Sequence, residues 1–283
     1  MSSRPVNAPV TAHEQRDVTV LGLRLRYVDV AARDERGPPL LLAHGHSSRI
    51  EEYEAILTPL SAHRRVLVCD LPGSGYSDKP DIAYTLRLFE DTLLGFLDAM
   101  KIDRAHVGGG SLGGNLALRL AHREPDRLTR IAAWAPAGSW EPSPGWQRFA
   151  RTAKHARWAF FPSLWIQSRF WYSPTWDGRH AALEGAWKYY REVYGPGFHR
   201  MYWDIGHDQA RTSLFPLAPE IRQPVWLGVG DRDHGLDMFE GVKKLATLLP
   251  NVRLKIYPGA RHSLANEIAS TLAADVDAFL LES

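Results

Sequence analysis

The feature that most restricts how this chain can fold is a regular alternation of short apolar runs with amphipathic segments. The apolar runs, most of which end in Gly, Pro or Asp, are typical of strands. They cover residues 18–20, 23–30, 40–43, 66–69, 105–107, 131–134, 225–229 and 252–257. Helical periodicity lies between them, at residues 51–61, 86–100, 112–121, 238–249 and 264–281. This order predicts an α/β fold, in which helices cover both faces of an eight-stranded, mostly parallel sheet with an antiparallel hairpin at one edge.

One stretch, residues 138–215, interrupts the alternation after the sixth predicted strand. It shows no strand pattern, and it holds eight of the ten tryptophans. We interpret it as a helical, Trp-rich cap inserted into a core domain made of residues 17–137 and 216–283. Residues 1–16 are polar and contain proline, and are predicted to form a flexible N-terminal segment. The cap is expected over the carboxyl ends of the strands, where open α/β sheets bind ligands.

Charge and composition narrow the range of partners. The 34 basic and 32 acidic side chains give a formal net charge of +2, without the concentrated excess of Lys and Arg that phosphate binding needs, so no nucleic-acid partner is expected. No apolar stretch is long enough for an integral membrane segment, and residues 1–16 lack the apolar region of a signal peptide. The lone Cys69 lies in an apolar run and is predicted to be a buried strand thiol. We expect a cytoplasmic enzyme with a small-molecule substrate, and a homodimer is left open.

The motif with the most chemical content is Gly109-Gly110-Ser111-Leu112-Gly113, a G-x-S-x-G pentapeptide. It follows a predicted strand and opens a predicted helix, the strand-turn-helix setting of a nucleophile elbow. Such a turn holds its serine in a strained backbone conformation, and glycines beside it avoid collision with neighbouring backbone. Ser111 is therefore the candidate nucleophile.

The same stretch also satisfies the dinucleotide-binding pattern G-x-G-x-x-G, through Gly108, Gly110 and Gly113. That fingerprint belongs in the first βα turn, with an acidic residue about 20 positions later at the end of the next strand. Here several strands precede the motif, and the next strand ends at Trp134-Ala135-Pro136 without a carboxylate. The pattern therefore favours a nucleophile over a nucleotide site, and no cofactor is predicted.

A serine hydroxyl becomes a good nucleophile only when a base removes its proton and an acid orients that base. The strand at 225–229 runs into Gly230-Asp231-Arg232-Asp233, and the last strand runs into a loop that ends at His262. Both loops leave the carboxyl ends of strands, as the serine turn does. The order serine, aspartate, histidine is that of α/β hydrolases, and the sequence predicts that the three groups meet at one sheet edge.

These motifs make the chain similar to the α/β-hydrolase superfamily, in the branch with a helical lid after the sixth strand. The matching motifs are His44-Gly45-His46, Asp70-Leu71-Pro72-Gly73-Ser74-Gly75-Tyr76-Ser77, the elbow at Ser111, Gly230-x-x-Asp233 and the His262 loop. The resemblance implies that Asp233, not Asp231, is the triad acid. It also implies an oxyanion hole formed by the backbone N–H groups of Leu112 and His46, which fits the need for two preorganised donors.

Two departures from the family pattern bear on the subfamily. Gly110 stands where many esterases and lipases have histidine, and the serine nucleophile argues against the haloalkane dehalogenase and soluble epoxide hydrolase branches, which use aspartate.

His44-Gly45-His46 also has the His-x-His form found in metallohydrolases. Since Ser47-Ser48-Arg49-Ile50 follows, and no second histidine pair supplies ligands, no metal site is predicted.

The sequence thus predicts a serine hydrolase that cleaves a carboxylic ester or lactone of a moderately apolar small molecule through an acyl-serine intermediate. His44, Gly45, Gly110, Trp134 and Trp140 are predicted to bind substrate. Thioester and peroxyacid chemistry are compatible. The main alternatives are a C–C bond hydrolase of the meta-cleavage-product type and a ligand receptor on a hydrolase fold. The cap carries ten Lys or Arg and only six Asp or Glu. This basic excess also leaves open the alternative that the lid binds to a lipid surface.

Overall fold

The computed structural model describes residues 11–153 and 155–282. Within them lie eight strands: β1 (Gln15–Val20), β2 (Leu23–Val30), β3 (Leu40–Ala43), β4 (Val66–Cys69), β5 (Ala105–Gly110), β6 (Leu128–Trp134), β7 (Val225–Gly230) and β8 (Val252–Tyr257). The α-helices are α1 (Glu54–Leu60), α2 (Leu86–Ala99), α3 (Leu112–Arg123), α4 (Pro144–Ala153), α5 (Phe160–Trp171), α6 (Arg179–Val193), α7 (Pro196–Arg211), α8 (Met238–Leu248), α9 (Leu264–Glu267) and α10 (Ala269–Leu280).

The strands form one sheet in the order β1-β2-β4-β3-β5-β6-β7-β8. Pairs β1–β2 and β2–β4 are antiparallel, and every other neighbouring pair is parallel. The β1–β2 hairpin closes through Leu21 and Gly22, whose φ angles of 50° and 77° belong to a two-residue primed turn. The predicted mostly parallel sheet with an antiparallel hairpin at its edge is confirmed.

Two apolar layers enclose the sheet because successive strand residues point to opposite faces. On β3, Leu41 and Ala43 join the core on the face covered by α2, α3 and α8, while Leu40 and Leu42 join the core on the face covered by α1 and α10. All four residues are fully buried. Covering both faces requires the continuous apolar strands that the sequence shows.

The predicted cap consists of α4 to α7, between β6 and β7. Its interior is aromatic: the Phe160 ring lies 4.7 Å from Tyr194, 4.9 Å from Tyr202 and 5.7 Å from Phe198, measured between ring centroids. Rings at these distances and mixed tilts are the usual packing of aromatic side chains. The confirmed insertion is therefore a helical layer with its own aromatic interior, while the domain boundaries at 137/138 and 215/216 stay predictions.

Three details refine the sequence-based expectations. The helix predicted over 264–281 is broken at Ile268 (φ −134°, ψ 37°) into α9 and α10. Strand β1 starts two residues before the predicted core boundary at residue 17, and most of the predicted flexible segment 1–16 lies outside the described residues. Cys69 is a buried free thiol, as predicted.

Within the described ranges, no helix is both long enough and apolar enough to cross a bilayer.

Candidate active site

Ser111 occupies the sharp turn between β5 and α3. Its backbone, at φ 54° and ψ −117°, lies in a region that residues with a side chain rarely adopt. The turn is held from β6, since Ser111 N–H donates to Trp134 O (3.0 Å) and Ala137 N–H donates to Ser111 O (2.9 Å). A strained serine kept in place by surrounding backbone is what the elbow motif predicts.

The close approach of β3 explains the glycines of the motif. A Cβ on Gly109 would lie 2.2 Å from the carbonyl oxygen of Ala43, and one on Gly113 would lie 1.7 Å from the same atom. No side chain fits at either distance, so both positions require glycine. The two glycines of the motif therefore allow β5 and α3 to pack closely against β3.

The candidate base and the candidate acid come from the loops after β8 and β7. His262 Nδ1 lies 2.8 Å from Asp233 Oδ2, and Asp233 is 1% exposed. Asp231 points elsewhere and accepts the N–H of Gly259 (2.7 Å). Of the two candidate acids, Asp233 is thus the one that pairs with the histidine, and the carboxyl end of β5 that carries Ser111 lies at the same sheet edge.

The protonation of His262 is set by opposing effects. Burial disfavours the charged ring and would lower the pKa of His262. The negative charge of Asp233 and its hydrogen bond outweigh burial, and Glu52 and Glu267 make smaller contributions. The pKa of His262 is therefore raised above 6.5. A raised pKa strengthens the imidazole as a proton acceptor. This arrangement suits a general base.

Glu52 is a site residue that the sequence did not reveal. Its Oε2 accepts the N–H of Gly45 at 2.9 Å. A Cβ built on Gly45 would lie 3.3 Å from both Glu52 oxygens and 3.7 Å from Cβ of Ser111, so the carboxylate sits close to the nucleophile. Nothing in the spacing of Glu51-Glu52-Tyr53-Glu54 marks one of its three acidic residues as special.

Tyr53 is the second residue that sequence reasoning missed. Its hydroxyl donates to Ala43 O (2.7 Å) and accepts the N–H of Gly110 (2.9 Å), and the side chain is fully buried. One phenol therefore joins the end of β3 to the residue before the nucleophile. An aromatic residue in an apolar helix face gives no sequence signal for such a role.

Three of the predicted substrate-binding residues, His44, Gly110 and Trp134, are buried and make contacts within the core. His44 is fully buried, and both ring nitrogens are occupied: Leu71 N–H donates to Nε2 (3.0 Å), and Nδ1 donates to Gly45 O (2.8 Å). Trp134 is 1% exposed and packs against Gly110, where a Cβ would lie 2.3 Å from the indole Nε1. All three residues are buried in this structure, and contact of His44, Gly110 and Trp134 with substrate stays a prediction.

The predicted oxyanion donors are the N–H groups of Leu112, which follows Ser111, and of His46, which follows Gly45. Leu112 is the first residue of α3, so its N–H has no acceptor within the helix. The His46 ring stacks on Tyr202 of the cap, with 4.9 Å between the ring centroids. Burial lowers the pKa of His46 to about 4, although a backbone hydrogen bond at Tyr202 acts in the opposite direction. The His46 side chain is thus neutral and faces the cap.

Trp140 lies at the start of the cap, between β6 and α4. Its indole N–H donates to Gln209 O (3.3 Å), and the ring helps to line a cavity of about 440 Å³. None of Ser111, Asp233 and His262 lines that cavity. Contact of Trp140 and of Gly45 with substrate stays a prediction; of the two, Gly45 is the one next to Ser111, since a Cβ built on it would lie 3.7 Å from Ser111 Cβ.

Two cap tyrosines close over the loops that carry the site. Tyr189 accepts the N–H of Gly75 (2.8 Å) and donates to Ser48 O (3.1 Å), and the Tyr190 hydroxyl lies 3.5 Å from Ser47 Oγ. The cap is thus fixed to the core at the sheet edge of the serine. Among the described residues, no cluster of three or more His, Cys, Asp or Glu has a geometry that could hold a metal ion.

Comparison with known proteins places this geometry in a family. The chain is 27% identical over 293 residues to 2-hydroxymuconate semialdehyde hydrolase from Pseudomonas sp. (strain CF600), which covers 98% of each protein. It is 30% identical over 229 residues to 2-hydroxy-6-oxo-2,4-heptadienoate hydrolase from Pseudomonas putida, covering 79% of this chain and 75% of that protein. The crystal structure of an enol-lactonase from Burkholderia xenovorans LB400 matches with a TM-score of 0.79 at 26% identity, covering 94% of this chain and 100% of that one.

The family model described as the alpha/beta hydrolase fold matches residues 38–265. That range spans the sheet from just before β3 into α9, and it includes the whole cap. The chain belongs to the alpha/beta hydrolase fold family and is a hydrolase.

Proposed function

We propose that the protein is a serine hydrolase that cleaves a carboxylic ester or lactone through an acyl-serine intermediate. The observation that carries the proposal is the hydrogen bond between His262 and Asp233 at the sheet edge that also presents the strained Ser111. A base with a raised pKa, an acid that orients it and a sharp turn that holds the nucleophile are the parts that acyl transfer needs.

The reaction proceeds in two halves. Ser111 Oγ attacks the substrate carbonyl while His262 Nε2 takes its proton, and the N–H groups of Leu112 and His46 stabilise the oxyanion. The intermediate collapses to acyl-serine, and the leaving alkoxide takes the proton from His262. Water then attacks the acyl carbon with His262 as base, and collapse releases the carboxylic acid and restores the serine. Asp233 stabilises the charged imidazole throughout.

Glu52 favours a substrate that carries no negative charge near the reacting carbonyl. Its half-buried carboxylate accepts the N–H of Gly45, which neighbours Ser111, and would repel a second carboxylate bound at this point. The cation closest along the chain, Arg49, is already engaged with Glu51 (3.4 Å) and stacks over the Tyr189 ring (4.3 Å). Neutral esters and lactones meet this condition.

The second candidate is hydrolysis of a carbon–carbon bond, favoured by the full-length similarity to 2-hydroxymuconate semialdehyde hydrolase. The same three residues would act, and the leaving carbon, rather than an oxygen, would take the proton. The substrates named for these relatives are carboxylate anions, as in 2-hydroxy-6-oxo-2,4-heptadienoate. Glu52 weighs against such an anion, so esters and lactones remain our first choice.

Kinetics on three substrate types test the proposal. We expect kcat/KM for p-nitrophenyl acetate or a neutral lactone to exceed that for 2-hydroxy-6-oxo-2,4-heptadienoate. Ser111→Ala should lower kcat/KM by at least about 10³-fold without changing the unfolding midpoint, whereas Ser270→Ala, at an exposed serine of α10, should change neither. Faster turnover of the dienoate would assign C–C hydrolysis, and full activity of Ser111→Ala would remove Ser111 from the mechanism.

A further inference from the structure

The first part of the cap has an unusual charge composition. Residues 142–176 include five basic side chains, at 148, 151, 154, 157 and 169, and no Asp or Glu. At the average of the whole chain, 32 acidic residues in 283, a stretch of this length would carry about four. The same 35 residues hold ten of the aromatic side chains. This segment is therefore both cationic and rich in large apolar rings.

Its outer surface exposes apolar side chains that the fold does not bury. Among the described residues, half of the exposed large hydrophobic side chains fall within residues 149–170: Trp158 (79% exposed), Trp165 (53%), Ile166 (53%), Phe170 (47%) and Phe149 (45%). We call these five the aromatic cap face. Single exposed apolar residues are common, but such a concentration marks a surface that something covers.

Helix α5 shows that this exposure is not a by-product of packing. The inner face of α5 is formed by Phe160, Leu164 and Ser168, which are buried in the cap interior. Trp165 and Ile166 stand on the other side of the same helix. A helix that is apolar on both sides normally lies within a protein or against an apolar phase, so the outer side of α5 lacks its natural cover.

Four arginines of the same segment carry uncompensated positive charge. Arg148, Arg151, Arg157 and Arg169 are exposed, and across residues 11–153 and 155–282 none of the four lies within ion-pair distance of a carboxylate. The Arg169 guanidinium lies 3.6 Å from the centre of the Trp165 ring, so a cation and an indole are presented together. Guanidinium groups bind phosphate in a bidentate manner.

We propose that the aromatic cap face docks onto an anionic lipid surface, with the indoles at headgroup level and the arginines on lipid phosphates. Tryptophan and arginine are the side chains that favour this interface. A second copy of the chain is a poorer occupant, because an isologous contact would set these unneutralised arginines against their own copies. Docking in this way would turn the cap, and with it the site beneath, towards apolar molecules dissolved in the lipid.

Sedimentation of the full chain with vesicles tests the proposal without any need for turnover. We expect binding to mixed phosphatidylcholine–phosphatidylglycerol vesicles that exceeds binding to phosphatidylcholine alone and weakens with added salt. The double variant Trp158→Ala/Trp165→Ala should bind at least about tenfold more weakly. Leu21→Ala, which removes an equally exposed apolar side chain from the β1–β2 turn, should bind as the wild type does.

Charge is tested with a matched pair of triple variants. Arg148→Gln/Arg151→Gln/Arg157→Gln should lose the preference for anionic vesicles. Arg33→Gln/Arg104→Gln/Arg222→Gln, which removes the same net charge from exposed positions elsewhere, should keep it.

Several results would overturn the proposal. These are equal binding of the wild type to both vesicle types, equal loss of binding in both triple variants, and a lipid-free dimer that Trp158→Ala/Trp165→Ala dissociates in sedimentation velocity. The last would make a second copy the occupant. Since Ser111→Ala should retain vesicle binding, and the cap-face variants should still hydrolyse a water-soluble ester, failure here is distinguishable from failure of the proposed hydrolysis.

Discussion

At the scale of single residues, two neighbours on one short turn hold both sides of the nucleophile. Glu52 accepts the N–H of Gly45, and Tyr53 joins Ala43 to Gly110. The 3₁₀ turn from Ile50 to Tyr53 thus contacts the loop at Gly45 with one side chain and the serine turn with the next. The two contacts differ in kind, since one brings a charge and the other only a hydroxyl.

The charge of Glu52 leads to a prediction about pH dependence. Its carboxylate favours protonated His262 and so contributes to the raised pKa of that ring. Glu52→Gln keeps an acceptor for Gly45 N–H but removes the charge, so the pKa of His262 should fall. Because the base works when neutral, the acidic limb of the kcat/KM profile for a neutral ester should move to lower pH.

The control for this measurement is Glu54→Gln, two positions along the same segment, which should leave the acidic limb in place. Kinetics for an anionic ester should improve in Glu52→Gln relative to a neutral ester, because the repelling charge is gone. An unchanged profile would show that Glu52 does not act on His262 through its charge.

The hydroxyl of Tyr53 leads to a prediction about stability. Tyr53→Phe removes one group that satisfies two buried backbone atoms, Ala43 O and Gly110 N–H. We expect the free energy of unfolding to fall by about 1–3 kcal/mol, measured by urea denaturation. We also expect kcat to fall more than KM changes, because Gly110 precedes the nucleophile. A variant with wild-type stability and kcat would show that the bridge is dispensable.

At the scale of elements, the elbow depends on how closely α3 and β5 approach β3. The Ala43 carbonyl faces both Gly109 and Gly113, and no side chain fits between. The helix is thus set by contact with a strand that lies more than sixty residues earlier in the chain. Tight backbone packing at one end of the sheet fixes where the serine hydroxyl is presented.

Gly113→Ala should therefore be costly even though alanine is the better helix former. Its Cβ would meet Ala43 O at 1.7 Å, so β3 or α3 must move, and we expect a loss of about 1–3 kcal/mol in unfolding free energy together with most activity. Gly185→Ala in α6 is the matched control: nothing lies within 4 Å of its Cβ, and stability should rise by about 0.5–1 kcal/mol. Equal effects of the two substitutions would contradict the packing explanation.

At the scale of the whole molecule, one buried carboxylate ties several segments together. Asp70, at the end of β4 and fully buried, accepts Arg26 Nε (2.6 Å), Ile50 N–H (2.9 Å) and Tyr76 N–H (2.7 Å). Burial alone would raise the pKa of Asp70, but the Arg26 charge and these hydrogen bonds lower it below its usual value. The carboxylate is thus charged in the folded protein and joins β2 to the loops after β3 and β4.

This lowered pKa predicts how stability depends on pH. The stabilisation by ionised Asp70 is complete above the ordinary carboxyl pKa of about 3.9 and is lost as the pH falls from there towards the lower folded value. Asp70→Asn should reduce the unfolding free energy at pH 7 by about 3 kcal/mol, because Arg26 loses a buried partner. Its stability should then fall less steeply on acidification than that of the wild type.

Denaturant melts across pH 3–7 would check both parts, with Asp126→Asn, at an exposed carboxylate, expected within about 0.5 kcal/mol of the wild type. A steep acid loss retained in Asp70→Asn would place the dominant titrating group elsewhere.

Local pattern was enough to predict the elements and the order of the candidate triad. Apolar runs with strand periodicity located all eight strands, and the spacing of Ser111, Asp233 and His262 after three of them indicated that they share one sheet edge. The side chains around that edge were harder to predict. His44 and Gly110 lie next to site residues in sequence, and Trp134 ends the strand beside β5, yet all three are buried, because the face on which a side chain lies depends on its packed neighbours.

The sequence by itself determined the fold class, the helical insertion and the strand-turn-helix serine, since each depends on residue types at short spacing and on the geometry of one backbone segment. Only the tertiary structure decided that Glu52 and Tyr53 serve the elbow, that Tyr189 fixes the cap to the core, and that the outer side of α5 remains uncovered. These depend on which distant segments come within a few ångströms of one another. Such contacts arise from packing the whole chain at once, and no local pattern of residues encodes them.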